Sequence, residues 1–182
     1  MARVKTKAVK RAAAKAPAKS AKTKTTGAIK GGEGKYHYRM ASLKKVPAGT
    51  GYSTSHGGVV EGRRMLVGYI HKPRGTGSRM HTHKNEQFNY VVQGTLRGSV
   101  NGKRVNAPAG TLVYIPANAP HTLIATPEED VIFIAIKDLS QGIIGKAVDG
   151  TMSGPHYDPG YGPKRGRTAT AAAAATSRKV RQ

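Results

Sequence analysis

Between Arg63 and Lys137 the chain is cut into short apolar runs, and that cutting constrains its fold more than any other feature. RRMLVGYIHK (63–72), QFNYVVQ (87–93), TLRGSV (95–100), TLVYI (111–115), HTLIA (121–125) and DVIFIAIK (130–137) are rich in β-branched and aromatic residues. Pro73 with Gly75 and Gly77, Gly94, Asn101-Gly102, Pro108 with Gly110, Pro116 to Pro120, and Pro127 separate them. Branched and aromatic side chains suit a pleated surface, and glycine and proline interrupt it. Asn-Gly between two apolar runs marks a tight hairpin, because both residues accept the positive φ of a type I′ turn. No helical periodicity lies between the runs. The spacing predicts an all-β, antiparallel sandwich or barrel.

The flanks have a different texture. Residues 1–35 hold eleven Lys/Arg against one acid, Glu33, and contain no Leu, Phe or Tyr. Residues 164–182 hold six Lys/Arg and no acid, around the alanine run Ala171–Ala175. Neither stretch can bury enough apolar surface to offset the entropy of ordering it, so both are expected to be disordered basic tails. They carry sixteen of the twenty-two net positive charges, which leaves +6 on the mildly basic stretch 36–163, where 36–140 is read as the domain. Residues 141–163, with Gly, Pro, His and Tyr but no period, are read as an ordered arm or loop.

Cysteine is absent, which excludes disulfides and thiolate metal sites. Any metal must be held by histidine, carboxylate, amide or water. No apolar run approaches the roughly 18–20 residues of a membrane span. The N-terminus lacks the apolar core of a secretory signal, and it is rich in Lys rather than in the Arg of a transit peptide. A cytoplasmic protein without membrane contact is expected.

The chemistry is concentrated in MHTHKNEQFNY (80–90). In a strand, residues i and i+2 share a face, so His81 and His83 project together and can reach one ion at about 2.0–2.2 Å. A third ligand from the next segment is Glu86 or Gln87, which face opposite ways in a strand. His121, opening HTLIA after the proline-rich PANAP, is the fourth candidate. Arg79, two residues before His81, is a candidate clamp for a substrate carboxylate, and Asn89, two after Gln87, is a candidate cavity residue.

These residues fall on a known frame. Gly75, His81, His83, Gln87 and Gly94 match the spacing of the first cupin motif, with Gln87 where that family usually has Glu. Gly110, Pro116, Asn118 and His121 match the second, with Asn118 replacing its Gly and Ala125 its final Asn. The chain therefore resembles a single-domain cupin over roughly 60–140. The resemblance implies a cupin-type β-barrel, or jelly roll, that commonly forms homodimers. It also implies one divalent metal ion (Zn, Mn, Ni or Fe) on His81, His83, His121 and a fourth residue. Some cupins acting on sugar acids carry a similar His-x-His-x-x-Glu-Gln, and there the Gln is the ligand. Gln87 is accordingly expected here, with Glu86 the alternative ligand.

Three histidines and a neutral amide leave the cation's charge uncompensated, which favours Lewis-acid catalysis. The expected function is an isomerase or lyase acting on a small oxygenated metabolite. One alternative is an Fe(II)-dependent cupin dioxygenase. Another is a non-catalytic cupin that binds a small ligand while its basic tails make non-specific contacts to nucleic acid.

Overall fold

The computed structural model describes residues 22–32, 34–150 and 154–163. Fourteen strands make up nearly all the regular structure of these residues, which also include one 3-10 turn at Met40–Ser42. In chain order they are β1 (Ile29–Lys30), β2 (Val46–Pro47), β3 (His56–Glu61), β4 (Met65–Lys72), β5 (Thr76–Gly77), β6 (His81–Thr82) and β7 (Gln87–Gln93). The rest are β8 (Thr95–Val100), β9 (Lys103–Pro108), β10 (Leu112–Ile115), β11 (His121–Ala125), β12 (Val131–Asp138), β13 (Lys146–Ala147) and β14 (His156–Tyr157). All six predicted runs form strands. No helix among the described residues is long and apolar enough to cross a membrane.

The strands make two sheets of seven, packed as a jelly roll. The first runs β1-β3-β4-β12-β7-β10, with β2 also on β3. Its centre is β4 against β12, eight residues each, in antiparallel register from Val131↔Lys72 to Asp138↔Met65. Both alternate in burial, so Leu66, Gly68, Ile70 and Lys72 face inward from β4, and Val131, Phe133, Ala135 and Lys137 from β12. The second sheet is built on β11, which pairs with β8 along one edge. Its other edge is shared by β6, at His121↔His81, and β5, at Ile124↔Gly77. Thus β5 and β6 are two pieces of one edge, interrupted at Ser78–Met80. The core between the sheets joins Leu66, Ile70, Val91, Leu96, Ile115 and Phe133, all buried.

Two turns show how local chemistry fixes this path. Asn101 and Gly102 have φ of 48° and 77°, and they close the β8–β9 hairpin as Asn-Gly predicts. Asn118 has φ 61°, so the cupin glycine is replaced by the non-glycine residue that best accepts a left-handed backbone. The Asn118 backbone N–H donates to the His83 carbonyl at 2.8 Å, tying the second motif to the first.

The N-terminal flank, expected to be a tail through residue 35, has a docked part. The Glu61 carboxylate is buried and accepts from the backbone N–H groups of Lys24 at 2.8 Å and Thr25 at 2.7 Å. The Thr25 hydroxyl accepts from the Ile143 N–H at 3.0 Å, and β1 pairs in parallel with β3. Composition did not reveal this because the anchoring includes backbone groups bound to a carboxylate far along the chain. The tails expected over 1–21 and 164–182 lie outside the described residues. In the arm, Ile143 joins the core, β13 pairs with β6, and β14 pairs with β5.

Candidate metal centre

His81 sits on β6, His83 just beyond it, and His121 begins β11. All three are buried, and the nitrogens each can offer a metal lie within 4.8 Å of one another. Bonds of about 2.0–2.2 Å to a common ion would draw them slightly closer. The rings of His81 and His121 are 4.0 Å apart between centroids, and those of His83 and His121 4.8 Å.

One device aims all three rings. The Nδ1 of His81 meets the Arg79 carbonyl at 2.8 Å, that of His83 the Asn85 carbonyl at 2.8 Å, and that of His121 the Ala119 carbonyl at 2.9 Å. A carbonyl can only accept, so Nδ1 carries the proton in each ring and Nε2 keeps its lone pair. The His83 Nε2 is buried without any hydrogen-bond partner. A buried polar atom left unpaired is unfavourable unless a ligand meets it. Three neutral imidazoles with aimed Nε2 lone pairs are the donor set a divalent cation needs, so these residues fit a metal.

Their electrostatics agree. Burial and the Lys137 ammonium push the His83 imidazole down to about 3. Burial first, then Lys137 and Lys72, holds His121 at about 4. His81 is depressed furthest, by burial and by His121 beside it. All three remain neutral, as metal ligation requires, across the physiological range.

Gln87 and Glu86 part company. Gln87 is buried at the start of β7 and lines the same cavity, and its Nε2 donates to the Asn89 Oδ1 at 2.6 Å. Asn89 is buried beside it, facing the cavity. Glu86 points outward, where the Tyr114 hydroxyl donates to its Oε1 at 2.8 Å. Arg79 does not share the histidines' face. Its side chain is exposed in an outer hollow lined by Met80, Val148, His156 and Tyr157. The break at Ser78–Met80 interrupts the two-residue alternation, so counting back from His81 misplaces it; only its carbonyl serves the centre.

Among the cavity residues that the sequence did not single out are Tyr52, Lys72 and Lys137. Tyr52 is buried with its ring 4.5 Å from that of His81, and its hydroxyl accepts from the Gly145 N–H at 2.7 Å. Burial pushes that phenol up to about 12. Lys72 and Lys137, each 2% exposed, close the inward rows of β4 and β12 and line the cavity from opposite ends of the paired strands. Burial pulls both ammoniums down to about 7. The signal was available: each lysine continues a row of inward positions spaced by two.

Comparison with known proteins follows this geometry. Among solved structures the chain is similar to the polyketide cyclase RemF from Streptomyces resistomycificus, at 16% identity over 57% of this chain and 79% of that one, with a TM-score of 0.50. It is also similar to an RmlC-like cupin from Shewanella frigidimarina, at 18% identity over 59% and 91%, with a TM-score of 0.47. KdgF from Halomonas sp. aligns at 21% identity over 52% and 86%, with a TM-score of 0.45. At 16% identity the likeness to RemF speaks to the fold alone. Comparison with curated proteins gives no significant match. The family model for the cupin domain matches residues 68–137, which span β4 to β12 and all three histidines. The chain carries a cupin domain, and the paired motifs place His81, His83 and His121 inside it.

Proposed function

We propose that this protein is a mononuclear metal enzyme in which His81, His83, His121 and Gln87 hold one divalent cation, Zn, Mn, Ni or Fe. The observation that carries the reading is the buried, unpartnered Nε2 of His83, within a triad whose Nδ1 protons are all committed to carbonyls. The cation would supply Lewis-acid polarisation of a carbonyl, enediol or carboxylate oxygen. Gln87 contributes an oxygen without charge, and Asn89 fixes its amide by accepting from Nε2. Phe133, Ala135, Leu123 and Ile70 supply an apolar part of the cavity wall. This favours isomerase or lyase chemistry on a small oxygenated metabolite.

Elemental analysis of protein purified without added metal tests the reading, together with oxygen uptake over candidate substrates. One equivalent of metal without oxygen uptake is expected. Iron with substrate-dependent oxygen loss would move the assignment to a dioxygenase, and absence of metal after loading would remove it.

The charge distribution favours a second reading, a non-catalytic ligand-binding cupin whose tails, with sixteen of the twenty-two net charges, neutralise phosphates. DNA affinity that falls steeply with salt and is lost on deleting 1–35 would support it.

A homodimer belongs to the same proposal. On the outer face of the first sheet, Val67, Ile136, Phe88 and Tyr114 form one row across β4, β12, β7 and β10. Tyr69, Ile134, Tyr90 and Leu112 form the next. Val67, Tyr90, Leu112 and Tyr114 are exposed. Eight apolar residues in two aligned rows suit an isologous contact with a second copy.

A further inference from the structure

The two buried lysines have no acid to face. The cavity has an empty volume of about 460 Å³, part of it open to solvent. Its wall holds Lys72 and Lys137 but no Asp or Glu. No described residue gives the Lys72 ammonium a hydrogen bond or an ion pair. The Lys137 Nζ donates to the Ile143 carbonyl at 3.0 Å, which satisfies one of its three protons. The nearest acid to it, Asp138, sits on the opposite face of β12, where it accepts from the Glu86 and Ser140 N–H groups. Burying an ammonium without a counter-charge is strongly unfavourable, and here it is done twice around one cavity. Burial weakens both ammoniums, as a missing anion predicts.

The histidines do not relieve this. They are neutral, and both lysines act on His121 from its surroundings, Lys72 also on His81 and Lys137 also on His83. The triad therefore lies between two positive groups. A divalent cation there would raise the positive charge of the cavity further, and Gln87 adds nothing to offset it. Exposed Arg79 lies outside this cavity, so the recognition of an anion falls to the lysines.

We infer that this cavity takes a small organic dianion, a molecule with two carboxylates or with one carboxylate and a second ionised oxygen, whose acidic groups pair with Lys72 and Lys137. This names the substrate class for the proposed enzyme and rests on the reading of the histidine cavity as its substrate site. A neutral sugar or alcohol would leave both ammoniums buried and unpaired. A monoanion would leave one so.

The test uses the full chain, stripped of metal by chelation and then reloaded with zinc, in buffer without multivalent anions. Malonate is the probe and malonamide its uncharged analogue, each titrated calorimetrically into both forms. Malonate is expected to bind at least tenfold more tightly than malonamide. Lys72→Met and Lys137→Met should each weaken malonate at least tenfold without lowering zinc uptake. Without malonate, each substitution should raise the melting temperature, since it replaces an uncompensated charge by an apolar chain of similar length. A lysine that only supported the fold would lower it. Equal binding of malonate and malonamide, no malonate binding, or malonate binding indifferent to Lys72→Met overturns the inference, even where one zinc per chain is taken up. Failure of the metal reading alone has a different signature: no zinc uptake, with lysine-dependent malonate binding intact in the metal-free protein.

Discussion

His81 and His121 stand opposite each other across the β6–β11 ladder, with ring centroids 4.0 Å apart, although the chain between them forms β7 to β10. The cupin motifs meet at this pair, and His83 closes the triangle. Removing one ring should therefore disable the centre as a unit. His81→Ala is expected to lower metal affinity by more than the ~10–100-fold typical of losing an outer-shell partner. Gln87→Ala should lower it less, and Glu86→Ala not at all, because Glu86 is engaged with Tyr114 on the outside. Elemental analysis after equilibrium dialysis checks the series; metal lost from Glu86→Ala but kept in Gln87→Ala would reverse the choice of neighbour.

Arg79 offers a contrast. Its carbonyl orients His81 while its side chain points into an outer hollow. Arg79→Ala is expected to leave metal content and the binding of small anions within twofold of wild type, by the same dialysis and calorimetry.

The lysines set a pH dependence with a definite sign. Lys72 and Lys137 titrate near 7 in the folded protein, against 10.5 for the ordinary side chain. Between those values the unfolded chain binds more protons, so stability rises with pH, by up to about 1.4 kcal/mol per pH unit for each lysine. Below pH 7 both states are protonated and the penalty of burial is constant from this source. In anion-poor buffer the melting temperature should climb from pH 7 toward pH 10, and the climb should flatten in Lys72→Met. A wild-type profile that falls over this range would contradict the account.

Glu61 predicts how the N-terminal segment contributes. Glu61→Ala removes the acceptor for two backbone N–H groups, each hydrogen bond to a charged partner being worth about 1.5–3 kcal/mol. A fall of several degrees in melting temperature is expected, with deletion of 1–35 having at least as large an effect. Calorimetric melting of both variants checks it, and an unchanged midpoint would show that the clasp contributes nothing.

The proposed dimer can be tested on the outer sheet face. Ile134→Lys places a charge in the middle of a row that continues through Tyr90 and Leu112. Light scattering should report a dimer for the wild type and a monomer for the variant, and the wild-type melting temperature alone should rise with protein concentration.

Much of this architecture was legible in the sequence. The runs at 87–93, 95–100 and 121–125 are strands with those bounds, and the run at 130–137 is shifted by one residue. Apolar alternation interrupted by turn residues leaves a chain few other options. The strands at His56–Glu61 and Lys103–Pro108 escaped because glycines dilute the first and polar residues the second. Two motifs made the meeting of three histidines readable. The lysines continue inward rows spaced by two, but a lysine ending an apolar run reads more readily as the point where a strand meets water. Arg79 was misplaced for a related reason: period-two counting assumes an unbroken strand, and Ser78–Met80 break it.

The three imidazoles are aimed by main-chain oxygens of Arg79, Asn85 and Ala119, not by side-chain acids. No point mutation can delete such a supporter, short of rerouting the chain. Descendants of this protein are thus free to redesign everything around the triad, including what the cavity admits, while the tautomers stay inherited with the loop path itself.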